Sequence, residues 1–199
     1  MLDTTYWEQR YASDNAQWDL GACSTPLRTY FDQLTRKDLR ILIPGAGRAY
    51  EAEYLHRLGF REVYVLDLTG APFKDLLQRC PEFPRDHLLT DDFFVHHGAY
   101  DLIIEQTFFC ALDPSLRPAY VRHMHELLVP GGRLVGVLFD VVPPGDGPPF
   151  GGTQAEYEGL FSSHFSEVSL ERCYNSIAPR AGRELWLRAF RTAPLSGRT

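Results

Sequence analysis

Two glycines and a carboxylate are the residues of this chain whose types and spacing most invite chemistry. Gly45-Ala46-Gly47 follows the apolar run 39–43, and Asp67 follows a second apolar run, Val63-Tyr64-Val65-Leu66, 22 residues after Gly45. Glycine has no Cβ, so its backbone can come against a ligand. A carboxylate at the tip of the next strand can accept hydrogen bonds from both hydroxyls of a ribose. A strand ending in a glycine turn, a helical pattern, and a strand ending in an acid open a doubly wound α/β domain that binds a nucleoside-bearing cofactor. A β-turn followed by a surface acid is the alternative that these few residues leave open.

Two cofactors compete for such a site, NAD(P) and S-adenosylmethionine. The dinucleotide fingerprint wants a third glycine three residues after the second, where pyrophosphate meets the helix N-terminus. Tyr50 stands there instead. A Tyr-x-x-x-Lys pair is also lacking, because the only lysines are Lys37 and Lys74. S-adenosylmethionine carries no pyrophosphate and is served by one tight Gly-x-Gly turn.

Other reactive side chains carry less. Cys23, Cys80, Cys110 and Cys173 are far apart, with no C-x-x-C, so neither a zinc site nor a disulfide scaffold is expected. His96-His97 reads as a solvated turn. His123 and His125, two apart on a helix, point to different faces and do not share a metal. No metal ligand set is assigned. Arg48 either caps its loop or reaches the cofactor.

The elements that must position these residues can be read from periodicity. Strands are expected at 39–43, 62–66, 87–89, 100–105, 133–139, 167–174 and 183–190, with Leu185, Leu187 and Ala189 alternating inward on the last. Helices are expected at 4–11 with Thr4 as cap, at 25–34, 50–58, 71–79, 114–129 and 153–161. The segment 142–152 is too dense in proline and glycine to be anything but a loop. Strand-helix alternation with a closing hairpin-like pair predicts an α/β fold. It is a Rossmann-like, seven-stranded, mostly parallel sheet with an antiparallel last strand and an N-terminal helical cap. One domain is expected, with a cap over 1–37, a core over 38–191 and a loose tail over 192–199.

Of 199 residues, 44% are hydrophobic and 23% charged, the balance of an ordinary globular chain. The formal net charge of -6 argues against nucleic acid as a partner. No apolar run reaches membrane-spanning length, and Met1–Gln17 shows no apolar stretch of the signal-peptide kind. A cytoplasmic location is expected, as a monomer or weak dimer.

Several segments together resemble a known family. They are Trp7-Glu8-x-x-Tyr11, Trp18-Asp19-Leu20-Gly21, Ile43-Pro44-Gly45-Ala46-Gly47-Arg48, Leu66-Asp67-Leu68 and Asp92-Phe93-Phe94. They continue with Tyr100 to Leu112 (YDLIIEQTFFCAL), Arg117-Pro118, Pro130-Gly131-Gly132 and Gly147-Pro148-Pro149-Phe150. The chain is similar, from Trp7 to about Phe190, to the thiopurine/thiol/halide methyltransferases, which use S-adenosylmethionine. The resemblance implies that Trp7, Tyr11 and Trp18 close over the methionine end and sulfonium. An aromatic face attracts such a cation as it does an ammonium. It further implies that Gly45 and Gly47 supply the backbone contact, and that Asp67 accepts from the ribose. Asp92 and Phe93 would hold the adenine, and Gln106 would border the methionine moiety, where some relatives carry Tyr or Arg.

Methyl transfer from a sulfonium is an in-line displacement that asks mainly for alignment and exclusion of water. No catalytic acid or base is therefore required, and none is assigned. Phe108, Phe109 and Phe150 are the expected acceptor pocket, with Phe108 favoured over Phe109 for the pocket itself. The expected function is methyl transfer from S-adenosylmethionine to a thiol, thiopurine or halide. The rivals are a small-molecule O- or N-methyltransferase and a non-catalytic S-adenosylmethionine-binding module.

Overall fold

The computed structural model describes residues 3–13, 19–141 and 147–193. Its frame is a seven-stranded sheet in the order β3-β2-β1-β4-β5-β7-β6. The strands are β1 (Ile41–Pro44), β2 (Val63–Asp67), β3 (Leu88–Thr90), β4 (Tyr100–Gln106), β5 (Leu128–Phe139), β6 (Glu167–Arg172) and β7 (Glu184–Phe190). Strands β1 to β5 pair in parallel, whereas β7 runs antiparallel to both β5 and β6. The order reverses between β1 and β4, and in such sheets the crevice at that switch point is where ligands bind.

Strand β1 is buried at every position, as expected of a central parallel strand covered on both faces. Its flanking helices explain why. Helices α2 (Thr25–Phe31), α3 (Tyr50–Arg57) and α4 (Ala71–Arg79) enclose one apolar cluster, with Leu27, Leu55 and Leu76 wholly buried. Helices α5 (Arg117–Leu127) and α6 (Gln154–Phe161) enclose the other, around Tyr120, Met124 and Phe161. On β7, Leu185, Leu187 and Ala189 have no exposed surface and so occupy one inward face. Removing a side chain such as Leu187 costs about 2–5 kcal/mol, because the cavity left behind closes only in part.

The segment 114–129 does not form one helix. A 3-10 turn, Pro114–Leu116, precedes α5, which ends at Leu127, and the chain is already in β5 at Leu128. Pro118 explains the break at the front, since it suits only the first turn of an α-helix. The cap of α1 (Thr4–Ala12) is Asp3 rather than Thr4, its carboxylate accepting from the Tyr6 amide at 3.0 Å. His96 is not in a solvated turn. It is buried, with its ring nitrogen 2.8 Å from the Tyr100 hydroxyl.

Among the described residues no helix is long and apolar enough to cross a membrane.

Candidate active site

A cavity of about 1160 Å³ opens at the carboxyl ends of β1, β2 and β4. Single small-molecule sites run to about 300–1,000 Å³, so there is room here for two reactants side by side. The ends of the strands meet through the backbone. Gly45 donates to the Leu66 carbonyl at 2.7 Å, and Asp91 donates to the Asp67 carbonyl at 3.1 Å. Gly45, Gly47, Asp67, Asp92 and Phe93 consequently line one end of a single cavity.

The glycine turn adopts conformations that other residues reach only at a cost. Gly45 and Gly47 have φ of 56° and 54°, in the left-handed region. Gly45 meets a second constraint that its sequence context did not reveal. A Cβ there would lie 2.3 Å from a ring carbon of Phe108, so the turn and that side chain are packed in direct contact. Thr107, just before Phe108, is itself at φ 61°. A non-glycine residue held there stores strain where a chain must aim a side chain at a ligand.

Asp67 is nearly enclosed, with 8% of its surface exposed. Its Oδ1 accepts from the Thr69 amide at 3.0 Å. Burial outweighs the stabilising backbone amides of Thr69 and Leu68, and the carboxyl is pushed up to about 7. Tyr11 faces it from α1. Desolvation first, and then the nearby Asp67 carboxylate, hold the Tyr11 phenol well above its ordinary range, so it stays a neutral donor. Trp7 lines the same wall as Tyr11. Trp18 lies outside the described residues.

Asp92 is exposed at the cavity edge, one oxygen accepting from the Phe94 amide at 2.9 Å. Phe93 is buried, its ring edge-on to Phe108 at 5.1 Å and to His123 at 4.8 Å. Gln106 lies apart from this group. Its side chain accepts from the Ser24 hydroxyl at 3.2 Å and lines a smaller crevice with Asp19, Arg48 and Glu51. Arg48 is ion-paired there with Asp19 at 2.6 Å and Asp75 at 2.5 Å.

Phe108, Cys110, Leu112 and Phe150 line the same cavity, with Phe108 adjoining the glycine turn. Phe109 is not part of that lining. It is 1% exposed and packs in the core against Tyr120, Tyr157 and Phe161, a ring turned away from the cavity by the 3-10 turn that begins at it. Phe150 is fixed from two sides. Its amide donates to the Cys110 carbonyl at 2.6 Å, and Arg117 reaches the neighbouring Gly151 carbonyl at 2.8 Å while pairing with Glu156 at 2.6 Å.

Cys110 is a buried thiol with, among the described residues, nothing beside it to activate it. Burial raises its thiol far above the ordinary range, and it donates to the Thr107 carbonyl at 3.1 Å.

Two groups of residues escaped the sequence reading. Arg180 and Arg183, from the β6–β7 connection, also line the cavity. Arg180 is buried and pairs with Glu184 at 3.3 Å. The second is Glu105, fully buried behind the site. It accepts from the Phe109 amide at 2.9 Å and from the Tyr120 hydroxyl, and so pins the turn that presents Phe108. Gly136 on β5 packs tightly against it, where a Cβ would lie 2.3 Å from Glu105 Cβ, and nothing in the local sequence signalled the role.

Comparison with known proteins follows the same lines. The family model for thiopurine S-methyltransferase (TPMT) matches residues 2–193. Thiocyanate methyltransferase 1 of Brassica oleracea is 30% identical over 89% of this chain and 81% of its own length. Probable thiol methyltransferase 2 of Arabidopsis thaliana is 29% identical with the same coverage. Among solved structures, a Burkholderia thailandensis 1,6-didemethyltoxoflavin-N1-methyltransferase with bound S-adenosylhomocysteine superposes with a TM-score of 0.75. It is 24% identical, and the match covers 94% of this chain and 86% of that one, a likeness of fold. The chain belongs to the thiopurine S-methyltransferase family and is an S-adenosylmethionine-dependent methyltransferase.

Proposed function

We propose that the acceptor is a small, soft nucleophile, a thiol, thiopurine or halide, methylated by in-line displacement. The observation that carries this reading is the cavity wall formed by Phe108, Cys110, Leu112 and Phe150. It is largely apolar and aromatic, and the cavity as a whole also bears Arg180 and Arg183 and, among the described residues, no histidine to serve as a base. A thiolate or halide attacks without losing a proton in the transition state. Guanidinium groups nearby favour the anionic form of a thiol and draw halide into the chamber. The names of the plant relatives, which speak of thiol and thiocyanate acceptors, agree with it.

The residues fit the methyl donor. A buried carboxyl at the β2 tip, which gives up its proton readily once hydroxyl donors reach it, suits the pair of ribose hydroxyls. Asp67 takes those hydroxyls, the Gly45 and Gly47 backbone lies along the donor, and Asp92 with Phe93 receives the adenine. Trp7, Tyr11 and Trp18 close over the sulfonium, and Gln106 borders the amino-acid end. The sulfonium supplies a leaving group that needs no activation. What the chain adds is alignment and a dry chamber. Phe108 stands against the glycine turn and lines the acceptor pocket. The cap from Trp7 to Leu27 and the loop over 142–152 serve as the lid over the acceptor, on a single domain that works in the cytoplasm as a monomer or weak dimer.

The test is release of S-adenosylhomocysteine with thiols, thiocyanate, iodide, phenols and amines side by side. Turnover led by the thiols or the halide and thiocyanate anions is expected. Phenols or amines turning over faster than any of them would overturn the assignment.

A further inference from the structure

Glu51 is a buried carboxylate for which the site described so far has no use. It sits in the first turn of α3, directly after the glycine turn, and is 5% exposed. One oxygen accepts from the Ser24 amide at 3.0 Å. The nearest cation along the chain, Arg48, is engaged by Asp19 and Asp75 instead. Burial shifts Glu51 toward its neutral form, against the Ser24 amide, the Cys23 thiol and the charge of Arg180, which favour the carboxylate.

Glu51 also lines a small crevice of about 30 Å³ with Gln106, Gly47 and Thr107, enough for one group the size of a water molecule. Gly47 and Thr107 border both this crevice and the large cavity, so the crevice opens off the glycine-turn side of the main site. A donor whose ribose lies at Asp67 and whose chain passes Gly47 brings its amino-acid end to this place. That end carries one compact cation, an ammonium.

We propose that Glu51 receives the α-ammonium of the methyl donor and is a positioning residue for the methionine half. The inference rests on the donor lying in the cavity as described above. The ammonium adds a directly paired cation to a carboxylate that burial disfavours, and the Ser24 amide keeps the carboxylate aimed. Because Ser24 opens α2, docking of the ammonium also ties the cap region to the turn that holds the donor.

Glu51→Gln separates this role from a purely structural one. Glutamine keeps an oxygen for the Ser24 amide and loses the charge. Calorimetry with S-adenosylhomocysteine should show affinity weakened about 10-fold or more, the usual effect of a charge-assisted hydrogen bond. Affinity for 5′-methylthioadenosine, which has no amino-acid end, should be unchanged. In the wild-type protein, the analogue of S-adenosylhomocysteine lacking its amino group should bind about 10-fold or more weakly, and Glu51→Gln should not weaken it further. Equal loss for S-adenosylhomocysteine and 5′-methylthioadenosine, or no loss for either, overturns the proposal. If the variant does not fold, equal wild-type affinity for the amino and deamino ligands overturns it. Wild-type protein that binds neither nucleoside refutes the donor site itself, a different failure.

Discussion

Asp67 offers the sharpest test of how the donor is held, because its burial and its chemistry pull in opposite directions. In the empty cavity the carboxyl is pushed up to about 7 by burial. Ribose hydroxyls donate hydrogen bonds, which favour the ionised form. Ligand must therefore bind more tightly to the carboxylate than to the acid, and binding near neutrality must release a proton. With a pKa of about 7, the ionised fraction is about one in eleven at pH 6 and about ten in eleven at pH 8. Affinity should accordingly rise about 10-fold across that interval and then level off. The ligand of choice is 5′-methylthioadenosine, since without an ammonium it keeps Glu51 out of the measurement. Titration calorimetry in buffers of different ionisation enthalpy should show about half a proton released at pH 7. Asp67→Asn should abolish both the slope and the proton release, and should cost about 1–3 kcal/mol of binding at pH 8. Affinity that is flat from pH 6 to 8, or that is higher at pH 6, would refute the argument.

Three further outcomes follow from the geometry. Glu105 and Asp67 both have carboxyls raised by burial to about 7, so the folded state holds protons that the unfolded chain gives up near pH 4. Stability of the ligand-free protein should therefore fall as pH rises from 4 to 7; on the order of 1–3 kcal/mol of it should be recovered at pH 8 by Glu105→Gln in urea melts, and a flat stability profile would contradict this. Gly45→Ala puts a methyl group 2.3 Å from a Phe108 ring carbon at a left-handed φ. It should lose at least about 1–2 kcal/mol of stability and most donor affinity, and retention of both would show that the turn is not packed as described. Arg183→Ala should lower kcat/KM for anionic acceptors several-fold in low salt while leaving donor affinity unchanged, whereas equal effects on neutral and anionic acceptors would argue against an electrostatic role.

Much of the fold was legible because the strands announce themselves by composition. The apolar run ending at the glycine turn, the run ending at Asp67, and the alternation of Leu185, Leu187 and Ala189 all appear as strands within a residue or two of expectation. Helix 114–129 was misread for a physical reason. Its apolar spacing continues through Leu127 and Leu128, but Pro118 and the strand pairing from Leu128 override periodicity at both ends. Within the site, residues next to a motif were visible and those acting at a distance were not. Gly45, Asp67 and Phe93 stand beside recognisable segments and line one cavity. Arg180 and Arg183 reach the cavity only because the β6–β7 connection folds over it, a tertiary fact no local pattern encodes. Glu105 looked like an ordinary strand residue until its carboxylate was found between the Phe109 amide and the Tyr120 hydroxyl. His96 was hidden in the same way, since nothing local signals that Tyr100 would cover it.

A crystal structure of the protein with S-adenosylhomocysteine tests the central claim most directly. The account predicts ribose hydroxyls on the Asp67 carboxylate, adenine against Phe93, and the sulfur facing the chamber walled by Phe108 and Phe150. A nucleoside bound elsewhere, or its ribose turned away from Asp67 with Phe108 filling the space, would contradict it.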